Sequence, residues 1–375
     1  MNIVLVQFYP YHEEVLAPQI NFLHHDEHKL YIAAPESVFK NDYLINLKEY
    51  FVPVLFKNTY HRKFSFFFRI FSILKKYKIL FKYHNKYHFD MIIFNTITKN
   101  FHYYLINKYF KNIKKIQIIH NSYPIIKNKG KYLKLFYMNL FLSRDIHKYF
   151  LESLNLDNDD NLTGWFCPLL SDDNINKKNI SINFNDSYIN IVIPGVVNEE
   201  RRNYNSLFNA LEKYRNNTHL KFKVYLLGKI SKEMIDKLIN KGINDLLTYY
   251  TEFVSGDDML NCIKNADAVA FLLDSKLGDN FSYYNKNKVS GNTNLCLSFG
   301  TPCIVSDEYL LENALKNKAI IYPNDNIDII FDNIENGIVT KESLKELRSL
   351  NIDSQYSFSF QKKQYLKALG LTNAN

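Results

Sequence analysis

The sequence has little cysteine, and its spacing suits no metal. The four thiols, Cys167, Cys262, Cys296 and Cys303, form no C-x-x-C pair and have no histidine at metal-ligand spacing. That argues against a structural zinc site and leaves reduced, mostly buried thiols as the expectation. The opening residues, Met1-Asn2-Ile3-Val4-Leu5-Val6-Gln7-Phe8, lack a basic leader, and their apolar run is too short for a signal peptide or a membrane span. A cytoplasmic protein is therefore expected. No repeat of solenoid period is present. No nucleic-acid reading motif accompanies the basic residues, so no nucleic-acid partner is expected.

The chain has 375 residues, of which 46% are hydrophobic and 23% charged. That is the composition of a folded protein. The length exceeds one ordinary core, at roughly 100–200 residues per domain, and implies two. The formal charge of +9 suits an anionic partner only where the cations cluster. Elsewhere it reflects a background rich in Lys, Asn, Ile and Tyr.

Short apolar, β-branched runs at Asn2 to Phe8, Lys29 to Ala33, Asp90 to Phe94, Lys115 to His120 and Leu140 to Ser143 alternate with stretches of helical periodicity. Runs buried on both faces and separated by helices imply a parallel sheet covered on both sides. A polar Asn/Asp/Lys-rich stretch from Ser171 to Ser187 marks the hinge. A second α/β series comes after it, with strands at Tyr188 to Ile193, Phe222 to Leu227, Leu247 to Tyr250, Ala268 to Leu273, Pro302 to Val305 and Ala319 to Tyr322. The expected fold class is thus α/β, with two Rossmann-like domains over residues 1–175 and 187–354. Residues 355–375 form a C-terminal tail whose amphipathic stretch, Gln355 to Leu369, reads as a helix, one that in two-domain proteins of this kind can cross back to the first domain.

The stretch Lys288-Val289-Ser290-Gly291-Asn292-Thr293 runs from a loop into a helix, and the helix closes on Ser298-Phe299-Gly300-Thr301-Pro302 ahead of a buried strand. Free N–H groups and the positive dipole end at such a helix start suit a diphosphate. Gly291 would let the backbone come close, and Ser290 or Thr293 would cap the helix. An ordinary capped helix between two strands reads the same way.

With its Gly-x-Pro ending, this segment resembles the C-terminal domain of GT-B glycosyltransferases. The resemblance implies an interdomain cleft, a nucleotide-sugar donor as substrate, and no metal or other cofactor. It places Lys288, Ser290, Gly291, Asn292 and Thr293 on the donor diphosphate. Ile193-Pro194-Gly195 leading to Arg201-Arg202 resembles the opening strand, loop and helix of such domains, so the turn beginning at Gly195 would face the cleft and either arginine would neutralise phosphate charge. Gly228, ending a strand, and Phe253, some twenty residues later, would border the base. Asp274 at a strand end would touch the sugar or ribose. A solvated helix start, core packing and a loop cap are the ordinary readings of these three segments.

The resemblance is incomplete. Where retaining members carry the second of two glutamates, five residues before Gly300, this chain has Leu295. Retaining and inverting chemistry both stay open. A nucleotide-sugar epimerase or an inactive scaffold of the same fold are the competing readings.

In the first half, His120 follows a buried strand, at the edge where open α/β sheets bind ligands. His12 and Glu13 follow the first strand in the same way, and these three are the candidate catalytic bases. Asn95 and Thr96 would line the same edge. The acceptor implied is a saccharide or lipid-linked saccharide, as in bacterial surface polysaccharide assembly. Residues 57–86 mix Lys and Arg with Phe and Ile and contain no acid, which suits peripheral contact with an anionic inner-membrane surface.

Overall fold

The computed structural model describes residues 1–10, 12–24, 28–56, 66–95, 97, 99–156, 161–171, 175 and 181–371. The chain divides into two compact units. Unit 1 comprises Met1–Pro168 and Ser359–Asn375, and unit 2 comprises Leu169–Phe358. The division thus precedes the polar stretch from 171 to 187. The reason is local: Asp258 accepts from the Ser181 and Ile182 amides and the Ser181 hydroxyl, which binds the end of that stretch to unit 2.

Unit 1 is built from β1 (Asn2–Val6), α1 (Glu13–Leu23), β2 (Lys29–Pro35), α2 (Asp42–Ile45), β3 (Val52–Phe56), α3 (Phe66–Tyr87), β4 (Met91–Phe94), α4 (Asn100–Tyr109), β5 (Lys114–Ile119), α5 (Tyr123–Lys127), β6 (Met138–Phe141), α6 (Arg144–Leu154) and β7 (Thr163–Trp165). Its seven strands pair in the order β3-β2-β1-β4-β5-β6-β7, all parallel. The two edge strands carry weak signals. β3 holds Pro53 and alternates in burial, as an edge strand does, and β7 has three half-buried residues. Neither belongs to the series of apolar runs.

Unit 2 repeats the plan with β8 (Ile189–Pro194), α7 (Tyr204–Glu212), β9 (Phe222–Lys229), α8 (Lys232–Lys241), β10 (Leu247–Tyr250), α9 (Gly256–Asn265), β11 (Ala268–Ala270), α10 (Asp279–Lys286), α11 (Gly291–Phe299), β12 (Cys303–Ser306), β13 (Ala319–Tyr322), α12 (Asp328–Glu335) and α13 (Lys341–Ser349). Its strand order is β10-β9-β8-β11-β12-β13, again all parallel. The final helix, α14 (Phe358–Ala368), returns to unit 1. There the Tyr365 hydroxyl donates to Gln19 Oε1 on α1 at 2.9 Å, and Gln361 Oε1 accepts from the Cys167 amide at 2.7 Å.

Each unit has its own core. In unit 1 Phe8, Phe56, Tyr77, Phe94 and Phe110 pack together on one face of the sheet. In unit 2 Ile191, Ile193, Phe208, Val224, Leu226 and Phe331 do so. Burying each such side chain contributes about 1.5–3 kcal/mol. All four cysteines are free and buried. In both sheets the strand order reverses beside the first strand, between β1 and β4 and between β8 and β11. That topology opens a crevice at the carboxyl ends of the strands.

Candidate functional site

In unit 2, the residues singled out from the sequence lie at or just past the carboxyl ends of β8, β9, β10 and β11 and at the start of α11. Gly195 follows β8 with φ of +93°, a conformation glycine adopts at low cost. It lies against Gly228: a Cβ on Gly228 would fall 2.0 Å from the Gly195 carbonyl oxygen. The two glycines therefore allow one strand end to lie directly on its neighbour. On the other side of Gly195, the Arg202 guanidinium lies 3.1 to 3.6 Å from where its Cβ would be. Arg202 is half-buried and Arg201 exposed, so of the two arginines Arg202 is the one at the strand end. Its Nε is buried without a partner among the described residues. Arg202, Asn203, Lys276 and Asp325 help line a cavity of 690 Å³.

Asp274 is buried at 1% exposure. Leu272, at φ of +52°, turns the chain after β11, a strained conformation for a bulky side chain. Asn203 clamps the chain on both sides of this turn. Its amide donates to the Leu272 carbonyl, and its Nδ2 donates to both Asp274 oxygens at 3.1 and 2.9 Å. Burial pushes the Asp274 carboxyl up, while Asn203 and the Lys276 amide draw it down. Asn203 also caps α7 by accepting from the Ser206 amide. The same side chain thus starts a helix and fixes a carboxylate.

At α11, Ser290 occupies the N-cap position, but its side chain makes no cap bond. Thr293 is turned inward, with Oγ1 3.3 Å from the Tyr309 hydroxyl, and Tyr309 packs edge-on against Phe271. Gly291 is exposed, and nothing lies within 4 Å of where its Cβ would be. The fold itself does not demand a glycine there. Asn292 is 4% exposed, and its Nδ2 is left without a partner among the described residues. Lys288 is half-buried three residues ahead of the helix. Glu308 accepts from the Ser275 amide, and Asn285 bonds the Glu308 carbonyl and the Leu310 amide, so the loop after β12 is tied to the turn after β11 and to α10. Phe253 is 73% exposed, which excludes core packing, and Lys229 Nζ lies 5.8 Å from its ring centre.

In unit 1, the fold brings His12 and His120 together across the carboxyl ends of β1 and β5, with ring centres 4.3 Å apart. His12 adopts φ of +72° at the N-cap of α1, and its Nδ1 donates to Glu14 Oε1 at 3.1 Å. The carboxylate on His12 is thus that of Glu14 and not Glu13. Burial pushes the Glu13 carboxyl up, the Glu14 charge adding to it. Asn95 is fully buried, bonded through Oδ1 to Gln19. Thr96 lies outside the described residues.

Asn203, Glu308, Tyr309, Asn285 and Glu14 are the participants that sequence reasoning missed. Asn203 had a readable signal, an asparagine ahead of a helix. Glu14 stands two residues from His12, and Glu308, Tyr309 and Asn285 reach the site only through tertiary contacts. Among the described residues, no group of three or more His, Cys, Asp or Glu side chains is placed to hold a metal ion.

No family model matches the chain, and no curated protein matches it in sequence. Solved structures do match in fold. A glycosyltransferase from Rickettsia africae has a TM-score of 0.66 at 14% identity over 98% of this chain and 97% of that one. HepE from Anabaena, solved with UDP, has a TM-score of 0.65 at 9% identity, covering 99% of this chain and all of that one. UDP-GlcNAc 2-epimerase from Neisseria meningitidis, solved with UDP-GlcNAc, has a TM-score of 0.60 at 12% identity, covering 99% of this chain and all of that one. At such identities the likeness is one of fold, and with its two parallel Rossmann-like sheets the chain has the GT-B fold.

Proposed function

We propose that this protein is a glycosyltransferase that moves a sugar from a nucleoside diphosphate sugar to a saccharide or lipid-linked saccharide, in the assembly of a bacterial surface polysaccharide. The observation that carries this reading is the cation at a strand end of unit 2: Arg202, half-buried, lies over Gly195 beside a 690 Å³ cavity. Lys288, the first amides of α11 and the buried Asn292 amide add donors for a diphosphate. These groups can stabilise the charge that develops on a diphosphate leaving group. They belong to the protein itself, so donor activation is proposed to need no metal. Asp274, held rigid by Asn203, is suited to accept from a hydroxyl of the sugar or ribose. In unit 1 His12, oriented by Glu14 and beside His120, supplies the base for the acceptor hydroxyl.

The epimerase reading is favoured by the Neisseria neighbour. The two differ in product: transfer releases a free nucleoside diphosphate, whereas epimerisation interconverts two nucleotide sugars. The test incubates the protein with a panel of nucleotide sugars, with and without saccharide acceptors, and separates the products. Acceptor-dependent nucleotide release supports transfer, interconversion without release establishes the epimerase, and neither establishes a scaffold. Lys288→Ala is expected to weaken binding of the donor nucleotide about 10- to 100-fold, the value of a charge-assisted hydrogen bond. His12→Ala and His120→Ala are expected to lower turnover at least about 100-fold with nucleotide affinity retained.

A further inference from the structure

The net charge of +9 is not spread evenly. Unit 1 carries 26 Lys and Arg against 13 Asp and Glu, whereas unit 2 carries 21 against 25. Residues 51–144 hold 19 of those cations and a single acid, Asp90. Background composition would load both units alike, so the segregation needs a cause within unit 1.

The longest helix there, α3, has no acidic residue and presents two different faces. Tyr77 and Leu80 are fully buried against the sheet. Outward, Phe68 is 61% and Phe71 69% exposed, and Lys75, Lys78 and Lys82 continue the same stripe, all exposed. Steps of three and four residues keep these five side chains on one side of the helix. Among the described residues no carboxylate lies within ion-pair distance of the three lysines. Two large aromatic rings exposed to this extent beside a row of cations are unfavourable on a face left to water. The remaining residues of the basic segment, 57–65, lie outside the described residues.

We propose that the outer face of α3 docks unit 1 on an anionic phospholipid bilayer. Phe68 and Phe71 enter the boundary between headgroups and acyl chains, and Lys75, Lys78 and Lys82 sit over the lipid phosphates. The binding is peripheral, since no described helix is long and apolar enough to cross a membrane. A bilayer fits better than a nucleic acid because the stripe is aromatic at one end and cationic along the rest. The proposal does not depend on the transfer reading, and its test does not use activity.

The test is co-sedimentation of the full chain with vesicles of phosphatidylcholine, with and without phosphatidylglycerol, at two salt concentrations. Binding is expected only to the anionic vesicles and is expected to weaken as salt rises. The triple change Lys75→Gln, Lys78→Gln, Lys82→Gln is expected to lower partitioning about 100-fold. Lys232→Gln with Lys316→Gln in unit 2, both exposed, is expected to leave it unchanged. Phe71→Trp is expected to shift its emission to the blue on the anionic vesicles. All of these positions are exposed, and unchanged thermal melting establishes that the variants fold. Equal binding to both vesicle types, triple-variant binding equal to the wild type, or preferential capture of RNA over the anionic vesicles overturns the proposal.

Discussion

At the scale of the residue, a few positions carry constraints that their neighbours do not share. Gly228 is the sharpest, because a methyl group there meets the backbone of Gly195, at 2.0 Å from its oxygen and 2.5 Å from its carbon. Backbone cannot swing aside as a side-chain end can. Gly228→Ala is therefore expected to destabilise unit 2 by about 3 kcal/mol or more, read as a lowered denaturation midpoint. His102 on α4 carries a different constraint. It is 1% exposed, 3.0 Å from the Tyr77 hydroxyl, and held down to about 4, mainly by burial and further by the charges of Lys99 and Lys76. The unfolded chain binds a proton at this histidine near its ordinary 6.5, before the folded chain does. The stability it confers is then complete above pH 6.5 and lost as pH falls toward 4. His102→Gln is expected to flatten that acid-side decline by about 1.4 kcal/mol per pH unit, measured by denaturation at a series of pH values. An unchanged slope would place the acid sensitivity elsewhere.

Among the elements, α14 shows best how a segment is placed by contacts far away in the chain. Its Tyr365 is fully buried and bonded to Gln19, itself fully buried on α1. Tyr365→Phe removes the donor and leaves Gln19 Oε1 unsatisfied, at an expected cost of about 1–3 kcal/mol. The measurement is the unfolding of unit 1, and a loss well below this range would mean that water replaces the phenol. The helix α11 was legible in its bounds and its Gly300 ending, a residue with φ of +64° as an αL terminus requires. The orientation of its side chains was not legible. Thr293 is at the first turn, where a cap or a ligand contact is the natural reading, yet it faces Tyr309, sixteen residues on.

For the whole molecule, two parallel sheets have separate cores and opposite charge balance, and the two units are expected to respond separately to substitution. Gly228→Ala acts on the core of unit 2 and Tyr365→Phe on that of unit 1. Calorimetry is expected to show each variant lowering one component of the unfolding profile while the other keeps its midpoint. A common shift of both components would show that the units unfold as one.

The α/β class, the two sheets and their central strands were legible in the sequence alone, because strands buried on both faces must be continuous apolar runs. The edge strands β3 and β7 were not, since an edge strand buries too little to leave such a run. Within the candidate site, Gly195, Gly228 and Asp274 at or near strand ends, and the start of α11, were legible from the local sequence. Only the tertiary structure decided that Arg202 and not Arg201 faces Gly195, that Asn203 holds Asp274, and that His12 meets His120. Those pairings join residues from different strands of a sheet, and chain periodicity reports which face is buried but not which side chain lies opposite.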